Sequence, residues 1–191
     1  MLLAALALLA AACSSGKKQP PAAATTASTT ATTQAVRTLA LKLTTTATGP
    51  ERNFNARKAA QQASPSVQKF LDRYLTLAFL QPSQAKSGWR SLLAMFDDPV
   101  RVRAGKQLDS LSLGRAAAQV TAVQPGPARA RAVVLYEGGR AAAATVQLSF
   151  DGTADSPRGS GPVRLRAVLQ LVYGKSGWRI AAYESRTGGG S

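Results

Sequence analysis

Two spacings of apolar residues divide the chain. Val67, Phe70, Leu71, Tyr74 and Ala78 recur at three- and four-residue steps, with Gln68, Lys69, Asp72, Arg73 and Thr76 opposite them. That spacing predicts an amphipathic helix opened by Ser64-Pro65 and ended by Pro82. Asn53–Gln62 reads as a separate helical start, with Pro65 marking the restart. Trp89, Leu92, Leu93 and Phe96 repeat the spacing in a second, shorter helix. Asp97-Asp98-Pro99 stops it and opens a third, with Asp98 suited to the N-cap and Pro99 to the first helical position. Val100, Ala104, Leu108 and Leu111 share a face of that helix, and Gly114 closes the helical half.

Beyond Gly114 the period changes to two, the signature of half-buried strands. Ala117–Val123 reads as a strand before a turn at Gln124-Pro125-Gly126-Pro127. Arg129–Tyr136 sets Arg129, Arg131, Val133 and Leu135 against Ala130, Ala132, Val134 and Tyr136. After a turn at Glu137–Arg140, Ala142–Phe150 carries Ala144, Val146, Leu148 and Phe150 on one face. Asp151–Pro162 reads as a polar loop. Val163–Val172 and Trp178–Ser185 then form a closing hairpin around Tyr173-Gly174-Lys175-Ser176-Gly177. Simple alternation puts Trp178, Ile180 and Ala182 on one face of the last strand and Arg179, Ala181 and Tyr183 on the other. Upstream, Leu39, Leu41 and Leu43 alternate within Ala35–Thr46, an edge strand ended by Gly49-Pro50. The fold class expected is α+β: N-terminal helices packed on a curved antiparallel sheet. Residues 35–187 form the domain (helical half 51–114, sheet half 115–187), and Gly188–Ser191 is a frayed tail.

The first 34 residues follow neither period. Leu2–Ala12 is an unbroken run of Leu and Ala, short of the roughly 20 residues that span a bilayer, and it ends in small residues before Cys13. This is the pattern of a secretory signal peptide, residues 1–12. Leu9-Ala10-Ala11-Ala12-Cys13 resembles the lipobox of bacterial lipoproteins, with its leucine one place further from the cysteine than usual. The resemblance implies a diacylglycerol on the thiol, a new N-terminus at Cys13 and a palmitate-type anchor. No basic residue precedes the apolar run, so a translation start further upstream is the expectation. Residues 13–34 are the lipidated cysteine and a Thr-, Ala- and Pro-rich tether that buries too little surface to offset its ordering entropy. Lys17 and Lys18 fall where lipid headgroups would lie. The localisation expected is extracytoplasmic, at the outer face of the cell membrane.

Composition narrows the chemistry. The 191 residues contain no histidine and a single cysteine. That removes Ser-His and Cys-His nucleophile systems, most transition-metal sites and any intrachain disulfide. Gly138-Gly139 and Gly174…Gly177 are hairpin turns, so no phosphate loop at a strand-to-helix junction is present, and no cofactor or metal is implied. The net charge is +15, from 24 Lys+Arg against 9 Asp+Glu. It is spread along the chain: residues 1–65 hold 7 basic and 1 acidic residue, residues 66–191 hold 17 and 8. Such a balance suits anionic surroundings, and it also follows from an Arg-, Ala- and Gly-rich composition. Nucleic acid would fit the charge but not the export signal.

Helices first, then long antiparallel strands ending in Gly177-Trp178-Arg179-Ile180-Ala181-Ala182-Tyr183-Glu184, is an order that resembles the nuclear transport factor 2-like superfamily. The resemblance covers roughly Ser64 to Arg186 and implies a cone of curved sheet wrapped on a helix, often around a pocket. With the anchor and tether, the chain is similar to uncharacterised lipoproteins of high-GC Gram-positive bacteria that carry such a domain. The resemblance implies a membrane-anchored binding or assembly role. The enzyme alternative is a pocket of the ketosteroid-isomerase or polyketide-cyclase type.

Acid–base candidates are Asp72, Tyr74, Asp97, Asp98, Tyr136 and Tyr183. Asp72 falls on the polar side of its helix, and Asp97 and Asp98 suit a turn and a cap. Tyr74, Tyr136 and Trp178 are the pocket candidates; Trp89 and Trp178 also suit the core. Arg129/Arg131 and Arg164/Arg166 are each i, i+2 and so share a strand face. On neighbouring strands they would form a four-guanidinium patch for phosphate or carboxylate. Each pair sits at one end of its expected strand, where a solvated sheet face is the favoured explanation, since charge there needs no special cause. Partners therefore remain an envelope protein, an amphiphile or an anionic wall polymer, with self-association a further option.

Overall fold

The computed structural model describes residues 39–82 and 85–189, within one compact unit. The stretches expected to be the signal peptide and the tether, with Cys13 between them, lie outside the described residues. The domain is α+β: an open five-stranded mixed sheet with helices against one face. The strands are β1 (Leu41–Thr48), β2 (Ala122–Glu137), β3 (Arg140–Ser156), β4 (Gly159–Gly174) and β5 (Gly177–Gly189). They lie in sequence order. β2 to β5 form an antiparallel meander, and β1 adds to β2 in parallel, Leu41 opposite Ala128 through Thr48 opposite Leu135. Between β1 and β2 come helices α1 (Ala56–Leu75), α2 (Ala85–Leu93), α3 (Asp98–Lys106) and α4 (Leu108–Leu111).

The helix α1 is one element, not two. Asn55 caps it, its side chain accepting a hydrogen bond from the Lys58 amide at 2.9 Å, and Pro65 lies inside it. A π turn, Thr76–Leu80, carries the chain on from its end. Asp97 rather than Asp98 is the N-cap residue of α3, and Gly114 opens a 3₁₀ turn (Gly114–Ala118) where the sequence pattern starts a strand at Ala117.

Ala59, Ala63, Val67, Leu71, Tyr74 and Leu75 are the buried side of α1. They belong to one core with the inner face of the sheet: Val134 and Tyr136 of β2, Val146 and Phe150 of β3, Leu165 and Leu169 of β4, and Ile180 of β5. The inner face of β2 is alanine at 128, 130 and 132, small side chains that let the elements above it come close.

Three departures from simple alternation matter for the outer face. Asp151–Pro162 is not a loop: β3 and β4 stay paired out to Ser156 opposite Gly159, as a polar ribbon. Pro125-Gly126-Pro127 is not a turn but a bulge in β2. The pairing jumps there from Pro125–Gly152 to Ala128–Phe150. A Cβ on Gly126 would meet the Asp151 carbonyl oxygen at 2.8 Å, so the close approach requires glycine. Proline is accommodated because β1 starts pairing only at Ala128. In β5, Gln170 faces Ala182 and Leu171 faces Ile180, leaving Ala181 unpaired in a bulge. The phase flips, so Tyr183 joins Trp178 and Ile180 inside and Ala182 turns out. Gly188 and Gly189 are paired in β5, not frayed.

Candidate functional site: an arginine-floored cleft

The outer face of the sheet carries rows of side chains set by strand register. One row runs Lys42, Arg129, Ser149, Arg166, Arg186 across β1 to β5. The next runs Thr44, Arg131, Gln147, Val168, Glu184. A cleft of about 1070 Å³ is lined by the β2–β5 part of both rows, by the intervening strand residues Ala130, Leu148, Ala167, Tyr183 and Ser185, and by Arg103 of α3, Asp109 and Ser110 of α4 and Gln107 between those helices. Five arginines line it (103, 129, 131, 166 and 186) against two acids, Asp109 and Glu184.

The two predicted arginine pairs are not on neighbouring strands: β3 lies between β2 and β4. They still share the outer face, since Arg129 and Arg166 both pair with Ser149. Nor are they at strand ends, because β2, β3 and β4 are all longer than the sequence pattern implies. Arg129, Arg131 and Arg164 are exposed and make no ion pair among the described residues, but Arg164 does not line the cleft. Arg166 is engaged. One guanidinium nitrogen meets both Asp151 carboxylate oxygens at 3.0 and 3.2 Å, and another donates to the Leu165 and Phe150 carbonyls at 2.8 and 3.2 Å. Two further cations are not marked as site residues by the sequence pattern. Arg186 stands one residue past the expected strand end, and Arg103 falls away from the apolar face of its helix.

The wall beyond β5 is built by hydrogen bonds. Tyr183 donates to Gln107 Oε1 at 2.9 Å, Thr187 to the Asp109 carbonyl at 2.6 Å, and Ser185 lies 3.4 Å from Ser110. The Arg103 guanidinium sits over the Tyr183 ring, 5.0 Å from its centre. Burial raises the Tyr183 phenol above its ordinary value, and the neighbouring Arg103 charge opposes that rise. Asp109 is held below the usual carboxylate range, first by the Arg115 amide it accepts at 2.8 Å and then by the Arg115 side chain at 3.0 Å.

The pocket candidates sit in the core instead of around this cleft. Tyr74 is fully buried and donates to the Leu111 carbonyl at 2.8 Å. Tyr136 donates to the Ala59 carbonyl at 2.8 Å, and Trp178 Nε1 to Ser66 Oγ at 3.0 Å. All three pin helices or strands together. Burial raises both tyrosine phenols, Tyr74 the more strongly. Asp72 takes hydrogen bonds from Gln68, and Asp98 pairs with Arg101 at 2.6 Å. A smaller hollow of about 350 Å³ between β1 and α1 is lined by Thr45, Thr46, Ala47 and the Arg57–Ser64 side of the helix. No family model matches the chain, and no curated protein or solved structure proved similar to it.

Proposed function

We propose that the chain is a lipid-anchored protein of the bacterial envelope, a non-catalytic binding module that holds an anionic partner on the outer face of its sheet. Lipid on Cys13 and the tether through residue 34 keep the domain at the outer membrane surface, as the lipobox-like Leu9–Cys13 stretch suggests. A nuclear transport factor 2-like cone is the finer fold reading. The β2–β5 meander, the α1 packing and the final Gly177-Trp178-Arg179-Ile180 strand support it, while the parallel β1 edge departs from an all-antiparallel sheet.

The observation that carries the binding role is the state of Arg129 and Arg131: exposed, without carboxylate partners among the described residues, and lining a large cleft. Guanidinium groups so placed can meet phosphate or carboxylate in bidentate fashion. Of the acids, Asp72, Asp98 and Asp109 are each engaged by a neighbouring side chain, while Asp97 and the cleft residue Glu184 have no ion-pair partner among the described residues. The test is retention of the full chain on an anionic polymer matrix as salt rises. Arg129→Gln/Arg131→Gln should elute at clearly lower salt than Lys69→Gln/Arg73→Gln, which removes the same charge from exposed positions of α1. Equal elution of the two variants would reduce the binding to net charge alone. For the anchor, the mass of the membrane-bound protein should show acylated Cys13, and Cys13→Ser should leave the membrane fraction.

A further inference from the structure

The cleft separates its cations into two stations. Arg129 and Arg131 stand on β2, roughly 7 Å apart along the strand. Arg186 stands on β5 in the same row as Arg129, three strands and therefore roughly 14 Å away. Arg103 lies beyond it on the α3 side. Side chains on a sheet stand nearly perpendicular to it, so the stations remain distinct. Arg166, between them in the row, is already turned to Asp151 and two carbonyls. A single phosphate seated on Arg129 and Arg131 would leave Arg186 without a partner.

We infer that the cleft takes a linear polyanion with repeated phosphate groups, one segment lying on Arg129 and Arg131 and a second on Arg186. This rests on the anion-binding reading above and narrows it to a ligand that spans the two stations. The polymer is read through its phosphates alone. Tyr183 is the one aromatic residue lining the cleft, and its ring is packed against Phe96 and covered by Arg103, leaving no face for a base to stack on. Glu184 is an acid on the floor with no ion-pair partner among the described residues, and it opposes the polymer beside the second station.

The experiment is calorimetric titration of the full chain with inorganic polyphosphate long enough to span the cleft, and with orthophosphate at matched phosphate concentration. Bridging two stations should make polyphosphate bind about 100-fold more tightly or better. The affinity should fall with salt at a log–log slope of about −2 to −3, as expected for three cations. Arg129→Gln/Arg131→Gln and Arg186→Gln should each weaken polyphosphate at least about tenfold through loss of bridging, and Glu184→Gln should tighten it. All four positions are exposed, and circular dichroism checks that each variant folds. Orthophosphate binding as tightly as the polymer would overturn the two-station inference and leave the anion-binding reading standing. Binding of neither would overturn both. An oligothymidylate that outcompetes polyphosphate would show that bases are read, and would overturn the choice of ligand.

Discussion

Removing one oxygen, in Tyr74→Phe, should weaken the fold at neutral pH and matter less in alkali. Tyr74 is 0% exposed and its hydroxyl donates to the Leu111 carbonyl at 2.8 Å, joining α1 to the end of α4. Phenylalanine keeps the packing and leaves a buried carbonyl without a donor, which costs about 1–3 kcal/mol. For a domain of this size that is a fall in Tm of about 2–4 °C per kcal/mol. Burial also raises the phenol's pKa above the ordinary value of 10.0. The native state therefore holds this proton more tightly than the unfolded chain. The resulting stability is complete below pH 10 and is lost as pH climbs above 10 toward the folded value. At pH 11, one unit above the unfolded value, the wild type has lost on the order of 1 kcal/mol through this residue alone, a loss that the Tyr74→Phe variant cannot suffer. Urea titrations at pH 7 and pH 11 should show the variant's deficit shrinking by that amount, with an unchanged m-value. A deficit equal at both pH values, or none at pH 7, would refute a buried neutral phenol bonded to Leu111.

Other expectations follow from single positions. Pro65 removes the amide that would bond the Gln61 carbonyl inside α1, so Pro65→Ala should stabilise the domain by about 1–3 kcal/mol, read by thermal melting. Gly114 has φ +51°, and a Cβ there would sit 2.6 Å from the Asp109 Cα. Gly114→Ala should cost about 2 kcal/mol or more and loosen the α4 corner, seen as faster amide exchange near Asp109. Asp151→Asn should release Arg166 from its carboxylate, raise the cleft's positive charge and strengthen polyphosphate binding several-fold by calorimetry.

Much of the fold is legible because burial enforces a period. The 3-to-4 spacing of Val67, Leu71 and Tyr74 and the alternation of Val163 through Leu171 each mark a face that the core covers. Where little is buried, the period vanishes. Asp151–Asp155 and Gly159–Pro162 pair as a ribbon in which Ala154 alone packs against the core as an apolar side chain, so their sequence looks like a loop. The Ala181 bulge hides the direction of Tyr183, since one unpaired residue reverses every later side chain. Pro65 reads as a helix boundary by local sterics, yet Ala63 and Val67 on either side are buried in one core and carry α1 through it. For the site, i, i+2 spacing reveals the arginine pairs but not their neighbours. Register alone brings Arg186 into the row of Arg129, and only tertiary structure turns Arg166 toward Asp151.

The binding claim is met most directly by following the arginine Nε–Hε resonances of the full chain during a polyphosphate titration. Arg129, Arg131 and Arg186 should shift together and saturate, while Arg52, Arg73 and Arg140, exposed outside the cleft, stay in place. Shifts spread evenly over all exposed arginines, or absent from Arg129 and Arg131, would contradict a dedicated anion site on this sheet.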